Sequence, residues 1–108
     1  MPRYVNNFQS SKPDEQVMAI AHQYLISQGF SLSGYKGEEL WKKGDGFFAA
    51  PQMVKITSNN SQVQIEAFIV TYLIPGVGGK ERDLTGVYGI AIKQALQKKV
   101  NDLHNMLI

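Results

Sequence analysis

The apolar residues near both ends of the chain recur with the period of a helix. In the first segment they are Val17, Ile20, Ala21, Tyr24 and Leu25. In the last segment they are Ile92, Leu96, Val100, Leu103 and Leu107. Because residues three and four apart share one side of a helix, each set forms a single apolar stripe. The pattern predicts one helix that starts near residue 11 and another over about 88–106, with Lys93 on the polar side of the second.

Local signals mark both ends of the first helix. Ser11 can cap it, and Pro13 suits the first turn, where a missing N–H costs nothing. Gly29 supplies the left-handed residue that commonly ends a helix. Phe30 follows at the position that folds back onto the last turn, so we expect the chain to reverse there.

Between the helices, apolar and polar residues alternate, as is typical of strands. We predict four strands, over about 30–36, 38–43, 52–58 and 62–73. Tight turns around Gly37 and over residues 58–61 join them in antiparallel order. The predicted fold is α+β, a two-layer αββββα domain over residues 11–108, with a four-stranded antiparallel sheet and both helices packed on one face. Residues 1–10 are polar and aperiodic, and we expect a flexible N-terminal tail.

Strand alternation assigns side chains to the two faces of the sheet. Val54 and Ile56 share the face that the helices would cover. Leu40 is assigned to the same core, which puts its neighbour Trp41 on the opposite, second face unless a bulge interrupts the strand. Aromatic and basic residues gather there, and the candidate binding face consists of Tyr35, Trp41, Lys43, Lys55, Phe68 and Tyr72.

Three interpretations of this second face are open. Its residues could lie under the N-terminal tail or under the glycine-rich segment near residue 76, as a second, smaller core. They could form a self-association surface, since large exposed apolar patches often mark interaction sites. They could also bind a ligand or single-stranded nucleic acid, with rings stacking on bases and Lys36, Lys42, Lys43 and Lys55 meeting phosphates.

Length and composition are those of one ordinary globular domain. The chain has 108 residues, 44% of them hydrophobic, and a net charge of +2, which is far below the charge of a dedicated nucleic-acid binder. It contains no cysteine, which excludes disulfides and cysteine-based zinc sites. No segment has the length and hydropathy of a signal peptide core or a membrane span. We therefore expect a soluble, cytoplasmic protein without a membrane partner.

No pattern in the sequence indicates a catalytic centre, a cofactor or a metal site. His22 and His104 lie on different helices, without acidic residues at ligand spacing. Glu66 lies mid-strand, where it could pair with Lys55 across the hairpin or, less simply, act as a buried acid.

The glycine-rich segment at residues 76–80 bears only a superficial likeness to a phosphate-binding loop. Glu81 stands where that motif requires Ser or Thr after the lysine. Lys80 and Arg82 remain a candidate anion contact.

Several short motifs resemble those of a domain family of Gram-positive bacteria without assigned function. They are Gln28-Gly-Phe, Tyr35-Lys-Gly-Glu, Trp41-Lys-Lys-Gly-Asp-Gly, Ala50-Pro-Gln, Ile65-Glu-Ala-Phe-Ile, Leu73-Ile-Pro-Gly-Val and Leu84-Thr-Gly-Val-Tyr-Gly. Relatives of this kind often carry an N-terminal zinc ribbon and sometimes a membrane segment. The resemblance implies an accessory or interaction module and supplies no catalytic residues.

The sequence favours a non-catalytic interaction module that binds an unidentified protein or a second copy of itself. Single-stranded nucleic-acid binding by the same aromatic face is the first alternative. A small-molecule pocket between helices and sheet, or a weakly marked enzyme, is the second.

Overall fold

The structure, a computed structural model, describes residues 3–44, 51–71, 80–85 and 90–108. Its helices are α1 (Asp14–Ser27) and α2 (Ile90–Leu107). Its strands are β1 (Tyr4–Gln9), β2 (Ser31–Tyr35), β3 (Glu38–Lys43), β4 (Gln52–Asn59), β5 (Gln62–Thr71) and β6 (Lys80–Arg82). The α+β class and the four central strands of the prediction are confirmed, and the described part of the sheet has two strands more than predicted.

All strand pairs in the described sheet are antiparallel, in the order β1-β5-β4-β3-β2. β6 pairs with the same edge of β5 as β1 does, further along the strand. The registers place Tyr4 opposite Ala67 and Arg82 opposite Ile69. Two short strands therefore share the outer edge of β5, and β2 is the last described strand at the other end.

The prediction of a flexible tail over residues 1–10 is wrong for β1. Tyr4 and Phe8 pack against the main core, while Val5 points to solvent on the other side of the strand. The two asparagines between them weaken the local strand signal. The strand is specified by its long-range pairing with β5, which no local periodicity could show. In the same way, residues 80–82 of the predicted glycine-rich loop form β6.

The predicted end of α1 at Gly29 is confirmed. Gly29 has φ of 89°, and its N–H bonds to the carbonyl of Ile26. The N–H of Phe30 bonds to the carbonyl of Leu25 at 3.0 Å, which completes a Schellman motif. Phe30 is 4% exposed and belongs to the main core.

The predicted cap of α1 is wrong. The residue at the N-cap is Pro13, without a side-chain cap bond, and Ser11 instead donates to the carbonyl of Ile108. Asp14 ties the start of α1 to the β4–β5 turn, because its carboxylate accepts bonds from the hydroxyl of Ser58 and the N–H groups of Asn60 and Ser61. These bonds lower the pKa of Asp14.

Both helices bury their stripes on one face of the sheet, which we call the helix-covered face. Their buried residues form one cluster with sheet residues such as Val54, Ile65 and Ile69. α1 packs over β4 and α2 over β5, so β2 lies at the margin of the helix layer. Lys93, predicted on the polar side of α2, is 4% exposed, and its ammonium donates to the carbonyl of Thr85 at 2.6 Å. Neither α1 nor α2 combines the length and apolarity that crossing a membrane requires.

Candidate functional site

A second apolar cluster lies on the second face of the sheet. Leu40, Met53, Phe68 and Val70 form it, and none of them is more than 2% exposed. Tyr35 packs against the cluster, with its ring centroid 5.7 Å from that of Phe68. This arrangement matches the smaller second core of the first interpretation.

Arg3 closes this cluster. Its guanidinium lies 4.2 Å from the centroid of the Phe68 ring, and its side chain is only 8% exposed. Three carboxylates surround it, at 2.7 Å for Glu38, 2.9 Å for Glu81 and 3.4 Å for Glu66. Charge-assisted bonds of this kind are among the strong ones, and a cation over an aromatic face adds to them.

These contacts shift the protonation of the cluster. Hydrogen bonds from Arg3 and then Lys55 lower the pKa of Glu38 to about 2. Arg3 also lowers the pKa of Glu81, and the same carboxylates raise the pKa of Arg3. Sequence reasoning missed Arg3 because residues 1–10 were predicted to form a flexible tail. The one available signal was the set of three glutamates on separate strands, of which only Glu66 stood out.

The positions of Lys55 and Glu66 are those expected, but their ion pairs are not. The two residues are cross-strand neighbours in the β4–β5 register. The Lys55 ammonium nevertheless lies 3.0 Å from Glu38, and Glu66 faces Arg3. Each residue is therefore paired with a residue from outside the β4–β5 hairpin, and the predicted cross-strand ion pair does not form.

Trp41 lies on the helix-covered face, and the prediction that it lies on the second face is wrong. It is the register partner of Val54, and it is 8% exposed with its ring 5.1 Å from that of His22. The assignment of Leu40 to the helix-covered core is wrong as well, because Leu40 occupies the position on the second face that was predicted for Trp41. Two adjacent apolar residues fit either parity, so alternation within β3 alone could not choose between them. Lys43, two residues further, follows Trp41 onto the helix-covered face.

A groove between α1 and the β2–β3 hairpin lies over Trp41. We call it the β2–α1 groove; its volume is about 210 Å³, and it is lined by Met18, His22, Leu32, Glu39, Trp41 and Ile56. Leu32 is the cross-strand partner of Trp41 and is 53% exposed. Ile26, one turn after His22 on α1, is 62% exposed. Leu32 therefore lines the groove without being buried, and a second exposed apolar side chain lies one turn further along α1.

Backbone groups of β2 point away from the sheet beside this groove. The β2–β3 turn has two residues, Lys36 and Gly37, with φ of 48° and 82°, as in a type I′ turn. Tyr35 and Glu38 close such a turn as a hydrogen-bonded pair, and pairs alternate from there. The N–H and C=O groups of Leu32 and Gly34 therefore face outward, where the described sheet ends.

Opposite charges lie at the two ends of the row of β3 residues on the helix-covered face, with Glu39 before Trp41 and Lys43 after it. Glu39 is exposed, and no ion pair forms on it within the described part of the chain. At the other end Lys43 approaches Lys99, whose pKa is lowered by burial and then by the charge of Lys43. The Lys99 ammonium lies 3.2 Å from the side-chain oxygen of Gln52 and 5.7 Å from the Phe30 ring.

The remaining residues that the sequence predicted as site residues lie only partly within the described ranges. Tyr72 and the side chain of Lys80 lie outside them. Arg82 occupies a register position on the helix-covered face, opposite Ile69. His104 packs on Phe8 and lies 3.0 Å from the Asn6 amide. Within the described ranges, no three histidine, aspartate or glutamate side chains are placed to hold a metal ion.

Comparison of the chain with protein-family models, with curated proteins and with solved structures gives no match in any of the three. The resemblance to a Gram-positive domain family therefore stays a prediction.

Proposed function

We propose that this chain is a non-catalytic interaction module that binds an extended segment of a partner protein along β2. The observation that carries the proposal is the exposure of Leu32, which is 53% exposed on the last described strand, beside a groove over Trp41. Removing apolar surface from water is favourable by about 25 cal/mol per Å², and the entropy cost of association offsets part of this when a partner covers it.

A protein that binds a peptide as an added strand needs a free sheet edge and a groove for side chains. The outer edge of β2 and the β2–α1 groove provide these. Outward N–H and C=O groups give affinity through main-chain bonds, and a groove that accepts alternate side chains gives specificity. Leu32 and Gly34 offer the backbone groups, and their side-chain positions face the groove side of the sheet. The volume of about 210 Å³ suits one apolar side chain rather than a metabolite.

The second face receives less support as a binding surface. The ring of Phe68 is fully buried under Arg3, and Lys55 is paired with Glu38. Rings and lysines held in this way are poorly placed to stack bases or to meet phosphates. Self-association through the aromatic face meets the same difficulty. A second copy of the chain can still be the partner at β2, and a cytoplasmic location remains part of the proposal.

Selection from a random peptide display library, with the purified protein as bait, tests the function. Selected peptides should bind the wild type and lose binding to Gly34→Pro, because proline removes an outward N–H and places its ring on the edge. Leu32→Ser should weaken binding by loss of apolar contact. Val5→Ser is the matched control, since Val5 is also an exposed residue on a strand, 41% exposed; it should bind like the wild type.

Three results would contradict the function. The first is a selection that yields no peptides sensitive to Gly34→Pro. The second is binding of single-stranded oligonucleotides that falls steeply with salt, which would favour the nucleic-acid alternative. The third is a rise in melting temperature with a metabolite or nucleotide, which would favour a small-molecule site.

A further inference from the structure

Building on the proposed function, we propose that the bound segment is an antiparallel strand with alternating recognition residues. From its N- to its C-terminus these are a basic, an apolar and an acidic side chain, each separated by one residue. The basic residue pairs with Glu39, the apolar residue fills the β2–α1 groove over Trp41, and the acidic residue meets Lys43 and Lys99.

The spacing comes from β3. Glu39, Trp41 and Lys43 are alternate residues of one strand and share the helix-covered face. Same-face neighbours on a strand are about 6.6 Å apart. An added strand has the same repeat, so its own alternate side chains stay in step with this row over the whole groove.

The charges proposed for the bound segment are those that would pair with three groups of this chain that have no oppositely charged partner among the described residues. Glu39 has no ion pair among the described residues, and the same holds for Lys43 and Lys99. Two ammonium groups held together repel each other, and the burial of Lys99 strengthens that repulsion. A carboxylate of the segment placed between the two ammonium groups would offset their repulsion. A basic side chain of the segment beside Glu39 would form an ion pair with that carboxylate.

Gly34 allows the basic side chain to reach Glu39. The two residues are cross-strand partners, so a strand added outside β2 meets Gly34 before it meets Glu39. A β-carbon added at Gly34 would find no atom within 4 Å, so the path over this residue is open. Leu32, two residues earlier in β2, supplies an apolar wall beside the groove instead.

The direction follows from strand pairing. Antiparallel addition is slightly more stable per residue than parallel addition, and a strand antiparallel to β2 runs in the direction of β3. Such a strand passes Glu39 first, then Trp41 and then Lys43. The basic residue of the segment therefore precedes its acidic residue.

Two blocked seven-residue peptides of the same composition test this register. The forward peptide has lysine second, isoleucine fourth and glutamate sixth, with threonine elsewhere; the reversed peptide exchanges lysine and glutamate. Trp41, the only tryptophan, reports binding by fluorescence because the peptides carry no aromatic residue. Wild type should bind the forward peptide about fivefold more tightly. The double variant Glu39→Lys, Lys43→Glu should prefer the reversed peptide.

The matched control is the double variant Lys98→Glu, Asp102→Lys, which reverses an exposed ion pair on α2. It should keep the forward preference, and its melting temperature should fall only modestly through loss of the hydrogen bond between Asp102 and Tyr24. Equal binding of both peptides by the wild type, binding of neither, or an unchanged preference in the groove variant would overturn the register. The proposed function fails separately, if the display selection yields no peptide that depends on Gly34.

Discussion

Leu32 and Trp41 are cross-strand partners on the β2–β3 hairpin, yet Leu32 is 53% exposed whereas Trp41 is 8% exposed. The difference arises because α1 packs mainly over β4, with His22 against the Trp41 ring, so that β2 lies at the margin of the helix layer. His22 covers one side of the tryptophan ring, and the β2–α1 groove lies beside it. The apolar surface next to this boundary is the basis of the proposed function.

Trp41 should behave as a buried tryptophan in the monomer. We expect blue-shifted emission and weak acrylamide quenching that do not change across a protein dilution series, because the helix-covered face is formed within one chain. Fluorescence at rising quencher concentration measures this. Protection that disappears on dilution would mean that a second copy covers the ring.

Replacing Arg3 should destabilise the fold strongly. Arg3→Met keeps much of the packing over Phe68 but leaves three carboxylates without their shared partner, and we expect a loss of about 2–4 kcal/mol in the free energy of unfolding. Urea denaturation measures it. Lys98→Met is the control, because it removes an ion pair whose lysine side chain is 79% exposed, and it should cost less than about 1 kcal/mol. Equal effects of the two substitutions would contradict the closure of the second face by Arg3.

The same cluster predicts the dependence of stability on pH. The pKa of Glu38 is about 2 in the folded protein and 4.5 as its ordinary value, so the unfolded chain takes up the proton first as pH falls. This contribution is complete above about pH 4.5 and is lost as pH falls toward about 2. Urea midpoints measured across that range should decline. The decline in the urea midpoint should be shallower in Arg3→Met. An equally steep decline in this variant would mean that groups other than Glu38 cause it.

Gly29 and Gly34 should respond differently to alanine. Gly29→Ala forces a left-handed φ of 89° on a residue with a β-carbon, at a cost of about 1–2 kcal/mol. Gly34→Ala meets no atom within 4 Å and has no left-handed φ, so it should change stability by less than about 0.5 kcal/mol. Thermal melts of both variants test the contrast, and a tolerated Gly29→Ala would contradict the Schellman end of α1.

Local patterns were sufficient for part of this fold. The stripe that includes Leu96 and Val100 predicts α2, Gly29 and Phe30 predict the end of α1, and the turn at residues 58–61 predicts the β4–β5 hairpin. Each of these signals lies within one turn or one hairpin of the structure it specifies, which is why sequence reasoning could find it.

The functional surface could not be predicted in the same way. β1 and Arg3 depend on contacts with β5 and with glutamates up to 78 positions away in the chain. The parity of β3 depends on its register with β4, which sets Trp41 against Val54. Neither dependence leaves a local pattern, so the aromatic face that the sequence predicts divides between the two sides of the sheet.

Chemical-shift mapping by hydrogen–nitrogen NMR spectra, with a display-selected peptide, tests the central claim most directly. The largest changes should fall on the amides of Leu32 and Gly34 and on the indole N–H of Trp41, while the amides of Val5 and Phe68 stay unchanged. Changes centred on Phe68 and Lys55 would place binding on the second face and contradict docking along β2.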